Sequence, residues 1–377
     1  MTHPPTTRRR LGKIVALMLG LGVGLAATEI AARVWLASQP KSEPMIQRFH
    51  PFLGYAFQPN RAITLQDSFG SRDYSTNSLG LRGRDAPRRK PPNAFRIICV
   101  GGSTTENAYV GDDQTYPAQL ERLLRARCPG VNIEVLNAGF SAYSTAHTLI
   151  NYQLNLVEFE PDLLIVYQAI NDLMPMSYPG FQPDYSNFYT IYHLSRVVRT
   201  DLYKRVQWPQ WVGTWVLGKL AIFAQRAMMH WRYTGPRPTR KTKLATVPGD
   251  ALQVYERNMR HLVQLAKADR VHVCLATFAH PMKPVMGRDA LDRLRRFPWF
   301  HHLNPSGVCD ALDRMNHVVR DLAKSQGTLF VDQERLMPKD FDTFLDCCHM
   351  RAPGLQMLAQ HFADAIVASG IIQSKLK

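Results

Sequence analysis

Apolar and polar positions follow one period in the first quarter of this chain and another after about Phe95. From about Gln39 to Pro92, turn residues are frequent and short alternating runs recur, such as Ala62-Ile63-Thr64-Leu65. A period of two belongs to half-buried strands, so residues 38–92 read as a small β-rich leader. Its last part, Arg84 to Pro92, is charged and Pro-rich and reads as a linker.

After Phe95 the pattern changes. Arg96-Ile97-Ile98-Cys99-Val100 is a short apolar run closed by Gly101-Gly102, the signal of a buried strand. A helix follows, with Pro117 near its first turn and Leu120, Leu123 and Leu124 on one face. Further strands are expected near Val131 to Leu136, Leu163 to Tyr167, Val271 to Ala276 and Leu329 to Val331. Helices are expected near Ala146 to Val157, Ala251 to Lys267, Asp310 to Lys324 and Gly354 to Ala368. Strands alternating with helices form βαβ units with right-handed crossovers and a parallel sheet. The predicted fold is α/β, a three-layer α/β/α flavodoxin-like sandwich spanning residues 93–372.

The alternation breaks at about residues 174–250. This insertion holds Trp208, Trp211, Trp215 and Trp231 among many cations, including Arg196, Arg199, Lys204 and Arg205. A helical lid packing its tryptophans on the main domain is the favoured reading, with contact to a membrane surface second.

At the other end, Arg8, Arg9, Arg10 and Lys13 precede an uncharged run from Ile14 to Thr28, and apolar residues continue past Glu29 to Leu36. This predicts a cytoplasmic basic tail over 1–13 and a transmembrane signal-anchor over 14–37, with Trp35 at the far interface. Everything after it then lies on the extracytoplasmic side of a bacterial inner membrane. Gly24-Leu25-Ala26 also reads as a cleavage site, so a cleaved signal is the rival.

Composition narrows the partners. The formal charge of +16 suits an anionic membrane surface or an acidic polymer. Zinc-finger spacing, RNP-type aromatics and a recognition-helix signature are lacking, which argues against nucleic acid. The six cysteines show no CxxC pair and no zinc spacing. Cys99 and Cys274 read as core residues, while vicinal Cys347 and Cys348 stand open to pairing with Cys309 in an oxidising compartment. His147, His280, His301 and His302 lack thiols or carboxylates at ligand spacing, so no metal site is expected.

Ligands of a doubly wound sheet bind at the carboxyl ends of its strands. The loops there carry Gly101-Gly102-Ser103 after the first strand, Asn137-Ala138-Gly139 after the second and Asn171-Asp172 after the third. Asp346-Cys347-Cys348-His349 stands ahead of the last helix. A serine hydroxyl needs an imidazole to take its proton, and the imidazole needs a carboxylate on its other nitrogen. Singly, Ser103 and Asp346 are ordinary helix caps and Asn171-Asp172 an ordinary turn. Their joint placement points to a nucleophile.

These four blocks, in order and spacing, resemble those of the SGNH (GDSL-type) hydrolases. Leu53-Gly54-Tyr55, Pro59-Asn60 and Asn77-Ser78-Leu79-Gly80-Leu81-Arg82 resemble the leader of its membrane-anchored bacterial members. The usual Gly-Asp-Ser is here Gly101-Gly102-Ser103, and the missing aspartate is no triad member. The resemblance implies that Ser103 is the nucleophile, His349 the base and Asp346 its orienter. It places the Ser103 and Gly139 N–H groups and the Asn171 amide in the oxyanion hole. It implies no cofactor. The expected activity is ester hydrolysis through an acyl-serine, on an acylated glycan or lipid, with acetyl groups of an envelope or extracellular glycan foremost. Transfer of the acetyl to polysaccharide by the same triad is one rival, and a silent glycan-binding assembly protein the other.

Overall fold

The computed structural model describes residues 7–38, 46–189, 243–283, 285–287 and 302–374. A long helix, α1 (Thr7–Ser38), comes first. Two antiparallel hairpins follow, β1 (Gln47–His50) with β2 (Gly54–Phe57) and β3 (Arg61–Asp67) with β4 (Gly70–Thr76). Then come β5 (Ala94–Gly101), α2 (Ser103–Glu106), α3 (Tyr116–Arg127), β6 (Asn132–Gly139), α4 (Thr145–Leu154) and β7 (Leu163–Tyr167). After the insertion stand α5 (Gly249–Ala268), β8 (His272–Ala276), α6 (Pro305–Gln326), β9 (Leu329–Val331) and α7 (Ala352–Ser369).

Strands β5 to β9 make one sheet in the order β6-β5-β7-β8-β9, every neighbour parallel. The chain steps from β5 out to β6, then reverses through β7, β8 and β9. Right-handed crossovers therefore set α3 on one face and α4, α5 and α6 on the other. Packing agrees, since α3 contacts α7 while α5 contacts α4 and α6. The reversal puts the topological switch point at the carboxyl ends of β5 and β7. Both strands are buried at every position, which explains why they are apolar throughout apart from Arg96 in β5.

Helix α6 begins five residues ahead of the expected start. The Asn304 side chain accepts the Gly307 N–H at 2.7 Å and Pro305 occupies the first turn, a polar start that apolar periodicity does not register. Helix α4 ends at Leu154, and a 3-10 turn takes Leu156–Phe159.

The expected membrane span over 14–37 finds no counterpart. Helix α1 runs through these residues, but among the described residues no helix is long and apolar enough to cross a membrane. The uncharged run of 14–28 falls short of the roughly 20 residues a span needs, and Glu29 and Arg33 interrupt its continuation. The four insertion tryptophans, the cations named with them and His301 lie outside the described residues.

The leader is tied into the domain. Arg82 bridges β6 through Asn137, donates Nη1 to Glu106 O at 2.5 Å and Nη2 to Val110 O at 2.6 Å, and pairs with Asp112. Arg96, fully buried in β5, pairs with Glu134 and donates to the carbonyls of Pro87 and Arg88, fastening the linker.

Candidate active site

Strand β5 ends at Gly101, and Ser103 is the first residue of α2. That position leaves the Ser103 N–H without an intrahelical partner and turns its hydroxyl toward the sheet edge. His349 arrives from the turn before α7. Its Nε2 lies 2.7 Å from Ser103 Oγ, across 246 residues of sequence, and its Nδ1 lies 2.7 Å from Asp346 Oδ2. The other Asp346 oxygen accepts the backbone N–H of His349 at 2.8 Å and of Cys348 at 2.9 Å. Burial pushes the Asp346 carboxyl up, but these bonds and the neighbouring His349 ring outweigh it and hold the group below its ordinary range. The arrangement keeps a hydrogen on Nδ1 and leaves Nε2 to accept from the serine.

The loop after β6 faces this pair. Gly139 and Gly102 are demanded by close approach. A Cβ on Gly139 would stand 2.3 Å from the Glu106 nitrogen, and one on Gly102 would stand 2.2 Å from Asn171 Nδ2. The Asn171 amide is thus pressed against the residue before Ser103, and it also donates to Tyr143 O at 2.9 Å. Gly139, expected as an oxyanion donor, turns its N–H to the Asn137 side chain at 3.0 Å. The Asn137 carbonyl oxygen, two residues back, captures that hydrogen. Farther along the same loop, Phe140 donates to Gly101 O, Ser141 to Glu106 Oε2 and Tyr143 to Phe140 O. Ala142, held in the left-handed region at φ 64, makes no such backbone bond among the described residues.

Several residues outside the four loop blocks shape the site. Buried Glu106, three residues after the serine, accepts Ser141 N–H at 2.5 Å and Tyr74 OH at 2.8 Å. Tyr55 OH donates to Ser141 O at 3.2 Å, and Tyr143 OH donates to Tyr55 O at 2.6 Å. The leader therefore braces both the serine helix and the loop opposite. Tyr109 packs edge-on to the His349 ring at 4.6 Å between centroids. Tyr55 falls inside a quoted leader motif, but its pairing with Tyr143 left no mark on local periodicity.

All six cysteines are free and buried, so no bridge joins Cys309 to Cys347 or Cys348. Asp346, Cys347 and Cys348 bring donor atoms within 4.8 Å of one another, a grouping not foreseen. It makes a poor metal site, because the Asp346 oxygens already accept from His349 and Cys348. Burial also raises the Cys348 thiol well above its ordinary range, so the thiolate a metal would need is disfavoured. His147 is buried and stacks on Tyr143, whereas His280 is buried with neither ring nitrogen hydrogen-bonded to a side chain or backbone among the described residues.

Among solved structures, the chain is similar to Axe2, an acetylxylan esterase from Geobacillus stearothermophilus. Identity is 15%, the match covers 73% of this chain and 96% of that one, and the TM-score is 0.40. It is also similar to a GDSL-like lipase from Bacteroides thetaiotaomicron, at 12% identity, 73% and 88% coverage and a TM-score of 0.40. No curated protein matches the sequence. The model of the GDSL-like lipase/acylhydrolase family matches residues 99–357, which take in every residue from Ser103 to His349. The chain belongs to the GDSL-like lipase/acylhydrolase (SGNH) family and is an ester hydrolase.

Proposed function

We propose that Ser103 attacks the carbonyl carbon of an ester, with His349 as general base and Asp346 as its orienter. The observation that carries this is the unbroken relay from Ser103 Oγ through His349 to Asp346, both links at 2.7 Å. As the Oγ–carbon bond forms, the serine proton passes to Nε2 and negative charge collects on the former carbonyl oxygen. We assign the Ser103 N–H and the Asn171 amide to receive that charge. Gly139 N–H is engaged with Asn137, so we assign the third donor to Ala142 N–H. Each such donor contributes about 3 kcal/mol. Nε2 then protonates the departing alkoxide, an acyl-serine remains, and a water activated by the same imidazole releases the acid and restores the serine.

The substrate we propose is a small O-acyl group, foremost acetyl, on an envelope or extracellular glycan. Support comes from the export-type N-terminus and from the leader's resemblance to anchored members of the family. We further propose that α1 holds the protein at the bacterial inner membrane with the catalytic domain outside. Ile14, Leu17, Met18, Leu19, Leu21, Val23, Ile30 and Val34 are all exposed along it, an apolar surface that calls for cover.

Acetate release from an acetylated xylo-oligosaccharide, compared between the full chain and Ser103→Ala, tests the reading. Release by the parent protein alone supports it. Glycan binding without turnover in either protein sinks it, and acetyl passed to an added glycan in excess of free acetate would make the enzyme a transferase. Recovery of the full chain in the soluble fraction would contradict the membrane assignment.

A further inference from the structure

The leader does more than brace the site, because its second hairpin reaches toward the catalytic histidine. At the tip between β3 and β4, Asp67 accepts the Phe69 N–H at 2.9 Å and pairs with both terminal nitrogens of Arg72 at 2.8 Å. The remaining Arg72 Nε donates to Ala108 O at 2.6 Å, which docks the tip on the segment carrying Tyr109. Phe69 then packs edge-on to Tyr109 at 4.9 Å, and Tyr109 edge-on to His349 at 4.6 Å. Phe69 nevertheless stays 47% exposed, so the turn is built to present an aromatic ring that the core does not use.

We propose that Phe69 and Tyr109 form a carbohydrate-binding wall beside Ser103 and His349, taking the apolar face of a sugar ring adjacent to the scissile ester. This rests on the glycan-ester reading and adds the subsite. A half-exposed ring suits an amphipathic ligand, with C–H groups on the aromatic face and hydroxyls left in water. An acyl chain gains instead from enclosure in an apolar channel. The tip's neighbours, Asp67, Ser68, Ser71 and Arg72, are polar and do not supply the apolar lining such a channel needs. The Tyr109 hydroxyl donates to no protein group among the described residues, which leaves it a polar handle for a sugar hydroxyl.

The test compares kcat/KM on acetylated xylo-oligosaccharide with that on p-nitrophenyl acetate, which carries no sugar. In Phe69→Ala the glycan-to-aryl ratio is expected to fall about tenfold, chiefly through KM, and Phe69→Trp to restore it. Phe52→Ala removes an exposed ring on the first hairpin and is expected to leave the ratio unchanged. An unchanged ratio in Phe69→Ala, while the parent protein deacetylates the glycan, overturns the inference and spares the glycan reading. Loss that grows with acyl length across p-nitrophenyl esters also overturns it, in favour of an acyl groove. A parent protein active on p-nitrophenyl acetate and inert on every acetylated glycan removes the glycan reading and the subsite together.

Discussion

Tyr143 donates its hydroxyl to the backbone carbonyl of Tyr55 at 2.6 Å, so a leader strand grips the loop whose own carbonyl receives the Asn171 amide. Tyr143→Phe removes that grip and strands a buried carbonyl. The expected loss is about 1–2 kcal/mol of stability, with kcat lowered more than KM is raised. Urea unfolding alongside steady-state kinetics reads both, and a variant with parent stability and parent kcat would show that the grip is idle.

Glu106 offers a sharper contrast, because its two oxygens receive different donors. In Glu106→Gln the amide oxygen can still take Ser141 N–H while its NH2 turns to the Tyr74 oxygen. In Glu106→Ala both donors lose their partner inside the protein, at a cost of about 3 kcal/mol. We expect Gln to retain most of the esterase activity and Ala to lose most of it. Equal effects of the two would contradict the hydrogen-bonding account.

Gly102→Ala drives a methyl group into the Asn171 amide, which has backbone on its far side at Tyr143 O. The expected result is a fall in kcat of at least about a hundredfold with the fold intact, the scale of one lost oxyanion donor. Far-ultraviolet circular dichroism and p-nitrophenyl acetate turnover check it together.

Asp172 sets a pH dependence of stability. Burial pushes its carboxyl up to about 6, against the bonds from Thr145 and Tyr185 that favour the charged form. A carboxyl raised in the folded state holds its proton there while the unfolded chain has already released it. Its contribution is therefore fully present below about pH 4, is lost as pH rises through about 6, and is flat beyond, spanning up to about 3 kcal/mol. Asp172→Asn should flatten that slope. Urea unfolding at several pH values measures it, and parallel profiles for the two proteins would contradict the assignment.

How far the molecule could be read in advance follows from which interactions are local. Strands β5 and β7 were legible because burial on both faces leaves the apolar runs Ile97 to Val100 and Leu163 to Tyr167. The grouping of Ser103, His349 and Asp346 was legible because Asp346 and His349 stand three apart and Ser103 follows two glycines at a strand end. Arg96 shows the limit: it opens an apolar run, and its burial depends on Glu134 and on linker carbonyls brought near only by folding. Gly139 shows another. Its identity follows from packing against Glu106, but the direction of its N–H is decided by the Asn137 side chain. Phe69 and Tyr109 meet across a gap that no period spans, so nothing in either segment announced the contact.

The account stands on Ser103 as the atom that is acylated. Labelling the full chain with a fluorophosphonate and mapping the adduct by mass spectrometry tests this most directly. The account predicts a single adduct on Ser103, slowed by about ten-thousandfold in Asp346→Asn, where the imidazole takes the wrong tautomer. An adduct on another residue, or esterase turnover that persists in Ser103→Ala, would contradict it.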